Sequence, residues 1–170
     1  SNFFSKKSYS LIMNNMPQLL NGKGNLDNWL EMQWAAVFAM FSLSNSTAGP
    51  AGVLSYYLGT HFKVNHGVAG GVFIGKVCKY NHRNNYYDLS EFYQNIDQNN
   101  LNKEQKSLLV IKEIEALLDL AKIPKDLDTF GVTNSSYKGF IKFASDAMEA
   151  FNFNPIKVDP EEVPEIFIKN

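Results

Sequence analysis

Apolar positions recur along most of this chain with a period near 3.6, and no stretch sustains period-two alternation. Residues 4–20 carry Tyr9, Leu11, Ile12, Met16, Leu19 and Leu20 at helical spacing, and Gly22 and Gly24 end the pattern. Asn25 or Asp27 supplies a cap for a second helix to about Ser44. Its centre, AAVFAMF, is apolar on all sides, which predicts the central buried helix of the fold. Gly49-Pro50 marks the next start, with Pro50 near the first helical position, where its missing N–H costs nothing. That helix runs to about Phe62. After a break at Val64-Asn65 another begins at about His66 and runs toward Tyr80. Asp88 caps a short helix to about Ile96, and residues 97–100 form a turn. Asn102 then precedes a long amphipathic helix over 103–121, with Leu108, Leu109, Ile111, Ile114, Leu117, Leu118 and Leu120 as its buried stripe and Pro124 as its stop. Thr133 or Asn134 caps a further helix through about Phe151. Asp159-Pro160-Glu161-Glu162 combines a cap, a first-turn proline and acidic first-turn residues, which marks a last helix start. The pattern reads as an all-α, compact multi-helix fold of about six to eight helices, a single helical domain over 1–170.

Chemistry concentrates in residues 46–81, which hold most of the glycines, two of the three histidines and the only cysteine. Gly67, Gly70, Gly71 and Gly75 fall on or near one face of the helix that starts at His66. Each glycine inside a helix costs roughly 1 kcal/mol against alanine, so the spacing predicts a compensating close approach by a backbone or a ligand. His66 sits at a helix N-terminus, whose unpaired N–H groups favour anions and polar ligands. A lone histidine more often caps or packs than ligates, and a catalytic metal needs about three protein ligands. His61 and His82 supply none at a recognisable spacing. Cys78 has no nearby base or Cys-x-x-Cys partner and reads as a small buried hydrophobe. Asp159, Glu161, Glu162 and Glu165 read as a helix start with a solvated face. No Ser-His-Asp, zinc-ribbon or phosphate-loop pattern occurs.

At 170 residues and 45% hydrophobic content the chain can bury a core. A net charge of −1 without basic runs argues against nucleic acid as a partner. The longest apolar run, residues 34–43, is about half a membrane span, so no membrane partner is expected. The single cysteine fits a reducing compartment, and with no signal peptide visible the expected location is cytoplasmic.

Leu54–Gly59 (LSYYLG), Asn65-His66-Gly67, Asn81 closing KVCKYN, IPKDLDTFGV at 123–132 and FNPIKVDPEEVPEIF at 153–167 occur in that order. In order and spacing they resemble the helical C-terminal domain of iron-containing (group III) alcohol dehydrogenases, within the dehydroquinate-synthase-like superfamily. The resemblance covers nearly the whole chain. It implies that His66 is a metal ligand. It places Tyr56 where many members carry a second active-site histidine, and there a tyrosine can donate a proton or hydrogen bond to substrate. The chain departs from the pattern at Gly52, fourteen residues before His66, where the family has its other histidine ligand. The family's Asp-x-x-x-His ligand pair would lie upstream of Ser1, and the Gly-rich turn of a nucleotide-binding half is missing from these residues.

The resemblance therefore implies one half of an oxidoreductase acting on an alcohol or aldehyde, sugar-derived ones among the candidates, with NAD(P) held by a missing nucleotide-binding half. Gly52 and Tyr56 would line the substrate pocket, and Fe2+ or Zn2+ binding is weakened by the loss at Gly52. The isolated chain is expected to be inactive and, with apolar surface left open, to form a homo-oligomer. The alternative is a non-catalytic helical interaction or assembly domain, or a degenerate paralogue.

Overall fold

The structure is a computed structural model that describes residues 2–94 and 100–169. Its elements are α1 (Asn2–Leu20), α2 (Leu26–Leu43), α3 (Gly49–Phe62), α4 (His66–Arg83), α5 (Lys103–Leu120), α6 (Tyr137–Asp146) and α7 (Met148–Phe151), joined by short 3-10 turns, with no strand among the described residues. The residues expected to form a single domain group into two compact units, each built from two stretches. One is Ser1–Thr47 with Tyr87–Lys122, the other Ala48–Tyr86 with Ile123–Asn170.

In the first unit α1 packs along α2. Gly22, at a positive φ of 69°, turns the chain between them, and Asn25 then caps α2. The cap is reciprocal: the Asn28 N–H donates to Asn25 Oδ1 at 3.1 Å and the Asn25 N–H to Asn28 Oδ1 at 2.9 Å. Asn28 also donates through Nδ2 to Asn15 Oδ1 at 2.9 Å, which ties the cap to α1. Deeper in, the buried Ser8 hydroxyl donates to the Ala35 carbonyl at 2.8 Å. α5 opens with the same kind of reciprocal cap between Asn102 and Gln105, and Tyr9 donates to Glu113 across to it at 2.7 Å.

The expected burial of α2 does not hold. Ala35 is its one buried residue among those described, while Leu26, Trp29, Leu30, Trp34, Val37 and Met40 are 39–72% exposed. A helix apolar on every side needs neighbours on every side, and α1 covers only the face that carries Ala35. The stripe on α5 holds along most of its length: Ile111 is buried and Leu109, Ile114, Leu117 and Leu118 are half-buried, with Ser107 and Val110 buried beside them, whereas Leu108 and Leu120 at its edges are exposed. The helix stops at Leu120 because Lys122 takes a left-handed conformation (φ 55°), ahead of Pro124. The helix expected from Asp88 is a single 3-10 turn, Asp88–Phe92, preceded by Tyr87. Its expected end at Ile96, and most of the turn at 97–100, lie outside the described residues.

The second unit holds the larger core. Phe73, Phe140, Phe151, Phe167, Leu54 and Leu58 are fully buried. The helix expected over 133–151 is divided into a 3-10 turn (Asn134–Ser136), α6 and α7. Ala147, at φ −106° and ψ 27°, breaks the hydrogen-bond run between the last two. The acidic start at Asp159 caps only a 3-10 turn, with Asp159 Oδ1 accepting from the Glu161 N–H at 3.0 Å. Two side chains far apart in sequence close this unit. Asn81 donates to Asn154 Oδ1 at 2.9 Å and Asn154 donates back to Asn81 Oδ1 at 2.7 Å. A buried amide left without its partner costs about 1–3 kcal/mol, so this pair discriminates strongly for the native pairing of α4 with the C-terminal segment.

Cys78 is buried on α4, and burial pushes its thiol up to about 12. Two outcomes are expected. An aromatic disulfide reagent should leave Cys78 unmodified in the folded chain and react with it fully in denaturant. The unfolded chain releases this proton near pH 9 and the folded chain only near 12. Stability should therefore be level below about pH 9 and fall above it, as urea midpoints measured across pH 8–11 will show.

Candidate functional site

The site is built at the corner between α3 and α4. α3 ends when Lys63 takes a left-handed conformation (φ 59°), a sharp stop that needs no proline. Asn65 is then extended and caps α4, its Oδ1 accepting from the Gly67 N–H at 3.0 Å. The cap sets His66 as the first residue of α4 and turns it back toward α3. One helical face of α3 carries Val53, Leu54, Tyr57 and Leu58 into the core, which leaves Tyr56 on the other side, 61% exposed. Tyr56 and His66 meet edge to face, their ring centroids 6.1 Å apart.

Between them opens a cleft of about 500 Å³ lined by Ser55, Tyr56, Gly59, Thr60, Val64 and His66. Two of its hydroxyls turn away into the backbone. Ser55 donates to the Gly52 carbonyl at 2.8 Å, and Thr60 to the Tyr56 carbonyl at 2.9 Å. The Tyr56 phenol and the His66 imidazole are thus the polar side-chain groups left to face a ligand. The phenol can donate to an oxygen, and the imidazole can donate or accept according to its tautomer.

Of the residues singled out from sequence, Tyr56 and His66 come together. Gly52 lies one helical turn before Tyr56, and the structure gives a reason for glycine there. A Cβ on Gly52 would overlap the Cβ of Ala48, because Gly49 takes a positive φ of 58° and folds Ala48 back over the first turn of α3. A histidine ligand at this position requires that turn to be rebuilt. Among the described residues no three of His, Cys, Asp and Glu form a group able to hold a metal ion. The described residues of this chain therefore do not by themselves complete an iron or zinc site.

Tyr57 and His61 serve packing. Tyr57 is buried against Phe140 and Phe143, with centroids at 4.4 and 5.3 Å, and His61 stacks on it at 4.0 Å. The close approach expected along the α4 glycines is not found at Gly70, where an added Cβ meets open space, and a Cβ on Gly67 would make ordinary contact with Asn65, its own cap. A close approach of that kind occurs in α6, where a Cβ on Gly139 would overlap the Tyr57 hydroxyl. The signal in sequence was a single glycine within Tyr137–Asp146, too slight to distinguish from a tolerated helix glycine.

The chain matches the model of the Fe-containing alcohol dehydrogenase family, C-terminal, over residues 2–170. It belongs to that family. It is 29% identical over 161 residues to a 1,3-propanediol dehydrogenase of Citrobacter freundii and 26% identical over 162 residues to one of Klebsiella pneumoniae. Each match takes in 92% of this chain and 41% of the relative, so the chain spans about two fifths of the length of these relatives. Among solved structures, 1,3-propanediol oxidoreductase superposes with a TM-score of 0.82 at 24% identity, covering 95% of this chain and 43% of the other. An alcohol dehydrogenase from Oenococcus oeni superposes with a TM-score of 0.79 at 22% identity, covering 98% and 44%. These likenesses establish the helical C-terminal fold of the family. They also make sense of the Asn81–Asn154 pair, since the two asparagines close the two segments, KVCKYN and FNP, that carried part of the resemblance.

The two glycine environments make opposite substitutions informative. Gly139→Ala should cost about 1–3 kcal/mol, because Tyr57 is held on three sides and cannot yield. Gly70→Ala should be neutral or stabilising by up to about 1 kcal/mol, since it improves helix propensity in open space. Thermal denaturation of the two variants beside the parent chain reads the contrast.

Proposed function

We propose that this chain is the helical, substrate-facing half of an oxidoreductase that moves a hydride between a nicotinamide cofactor and a small alcohol or aldehyde. The observation that carries the reading is the cleft at the α3–α4 corner, where Tyr56 and His66 converge in a chain of this family. NAD(P) would be held by a nucleotide-binding half, which belongs to the part of the relatives' length that this chain does not span. In the family-named metal's place the phenol of Tyr56 would give its proton to the substrate oxygen as hydride reduces an aldehyde and would be reprotonated from water in the open cleft, and in alcohol oxidation the proton would leave by the reverse route. His66 stands beside it to orient the phenol or the substrate's second polar group. The curated relatives are named for 1,3-propanediol, so that diol is the first substrate to try.

Oxidation of 1,3-propanediol, followed by reduced nicotinamide absorbance in a protein that joins this chain to a nucleotide-binding half, tests the reading. Tyr56→Phe should lower kcat about a hundredfold with little change in KM, and a chelator should leave the parent rate unchanged. The isolated chain should show no turnover. A parent rate that persists in full in Tyr56→Phe removes the phenol from the chemistry.

For the homo-oligomer expected from sequence, the exposed stripe of α2 is the surface that supports the reading. Leu26, Trp29, Leu30, Trp34, Val37 and Met40 alone leave on the order of 700 Å² open to water, close to the share each partner buries in a standard protein interface. A second copy of α2 is the occupant that fits. Asp27 and Glu31 are the only charged residues of the helix, both in its N-terminal half, so antiparallel pairing sets them against the partner's uncharged half. Sedimentation equilibrium of the isolated chain should give a dimer, and Val37→Lys should give a folded monomer. A parent chain that stays monomeric at about 0.1 mM, well above the range of specific interfaces, rules the pairing out.

A further inference from the structure

The cleft at the α3–α4 corner has a floor that hydride transfer at Tyr56 does not itself use. Its residues on α3 are Ser55, Tyr56, Gly59 and Thr60. Side chains four apart line up as ridges along a helix, so Ser55 and Gly59 belong to one ridge and Tyr56 and Thr60 to the next. Gly59 carries no side chain, and the first ridge is interrupted there. Val64, in the break after α3, and His66, at the start of α4, complete the lining. The floor therefore contains a gap one side chain wide, bordered by the neighbouring ridge and by Val64.

Two ordinary explanations for this glycine fall short. A positive φ does not demand it, since the glycines in that region are Gly22, Gly49 and Gly131. Packing does not demand it either. An interior glycine costs a helix roughly 1 kcal/mol against alanine. At Gly139 the reason is a hard overlap with the Tyr57 hydroxyl, but at Gly59 an added Cβ would lie 3.3 Å from the Val64 carbonyl oxygen. That contact is tight without overlapping, and a small shift of the break would relieve it. What the missing side chain leaves is room in the cleft.

The lining defines what fits that room. The Ser55 and Thr60 hydroxyls are committed to the Gly52 and Tyr56 carbonyls, and no lysine, arginine, aspartate or glutamate is among the described lining residues. The gap thus offers backbone, the Val64 side chain and the Tyr56 ring to an uncharged carbon chain. Its width admits a straight chain and turns away one branched beside the carbon that bears the oxygen.

We propose that Gly59 is a specificity-determining residue, the gap through which an unbranched carbon chain runs along α3 while its oxygen faces Tyr56 and His66. The proposal rests on the reading of this cleft as the alcohol or aldehyde site, and it names the substrate class as unbranched primary alcohols and their aldehydes.

Two primary alcohols built from the same atoms, 1-pentanol and 2,2-dimethyl-1-propanol, separate shape from composition. Binding to the isolated chain is read from the amide shifts of Gly59 and Val64 in two-dimensional NMR, which needs no cofactor. 1-Pentanol should bind about tenfold more tightly than its branched isomer. Gly59→Ala, which puts a methyl in the gap, should reduce that preference at least about threefold by weakening 1-pentanol alone. Val64→Ala, which widens the gap, should reduce it by admitting the branched isomer. Residues that merely supported the fold would weaken both isomers alike, and circular dichroism checks that both variants fold. Equal binding of the two isomers, no saturable shift at Gly59 with either, or a preference unchanged in Gly59→Ala overturns the proposal. In the protein joined to a nucleotide-binding half the same preference should appear in kcat/KM. A binding preference that persists where neither alcohol is turned over removes the dehydrogenase reading and leaves the assignment of Gly59 standing.

Discussion

The candidate site depends on one tight reversal of backbone, the residues between the end of α3 and the first turn of α4. Lys63 must enter the left-handed region and Asn65 must stay extended for the two helices to meet as they do. The left-handed residue costs on the order of 1 kcal/mol for a side chain with a Cβ. It is held because the helices it joins are both anchored in the same core, α3 through Leu54 and Leu58 and α4 through Ala69 and Phe73. The cap on Gly67 then fixes the entry angle of α4. Tyr56 and His66 lie on opposite sides of this corner, so their meeting is a product of backbone geometry and not of any bond between them.

The same core explains why neighbouring tyrosines have different fates. Tyr57 points into the aromatic cluster of Phe140 and Phe143, and α6 approaches it so closely that position 139 has room only for glycine. One residue earlier, 100° round the helix, Tyr56 is left at the surface. Packing of Tyr57 thus sets the rotation of α3 and, through it, the direction in which the Tyr56 phenol faces. Binding chemistry at the cleft is in this sense positioned by a contact that touches no ligand.

Local signals in the sequence were readable because local physics decides them. The Asn25 and Asn102 caps, the start of α3 at Gly49-Pro50 and the start of α4 at His66 are set within four residues of chain. What the sequence hid depends on partners distant in the chain. An all-apolar α2 says that the helix wants neighbours but not how many are there, and α1 supplies one side only. On α5 only the edges of the stripe were misplaced, with Val110 inward and Leu108 outward. The break at Ala147 lies inside a pattern that reads as continuous helix, since alanine is the best helix former and gives no warning. At the site, Tyr56 and His66 were visible as residues, but their proximity across the corner was not.

Gly52 shows how a family pattern and a local structure can inform each other. Read from the resemblance alone, it is a missing ligand, and glycine could be an accident of drift. The structure adds that Gly49 and Ala48 have closed over the position, so the loss is built into the path of the chain. A single substitution back to histidine would meet the Ala48 methyl before it met a metal. The pair proposed to face the ligand, Tyr56 one turn further along and His66 across the corner, would act by hydrogen bonding where a metal acts by charge. Hydrogen bonding stabilises a developing alkoxide less than a divalent ion does, which asks more of the phenol's alignment and of the dryness of the cleft around it. The apolar side of that cleft, Val64 and the ring of Tyr56 itself, is where that dryness has to come from.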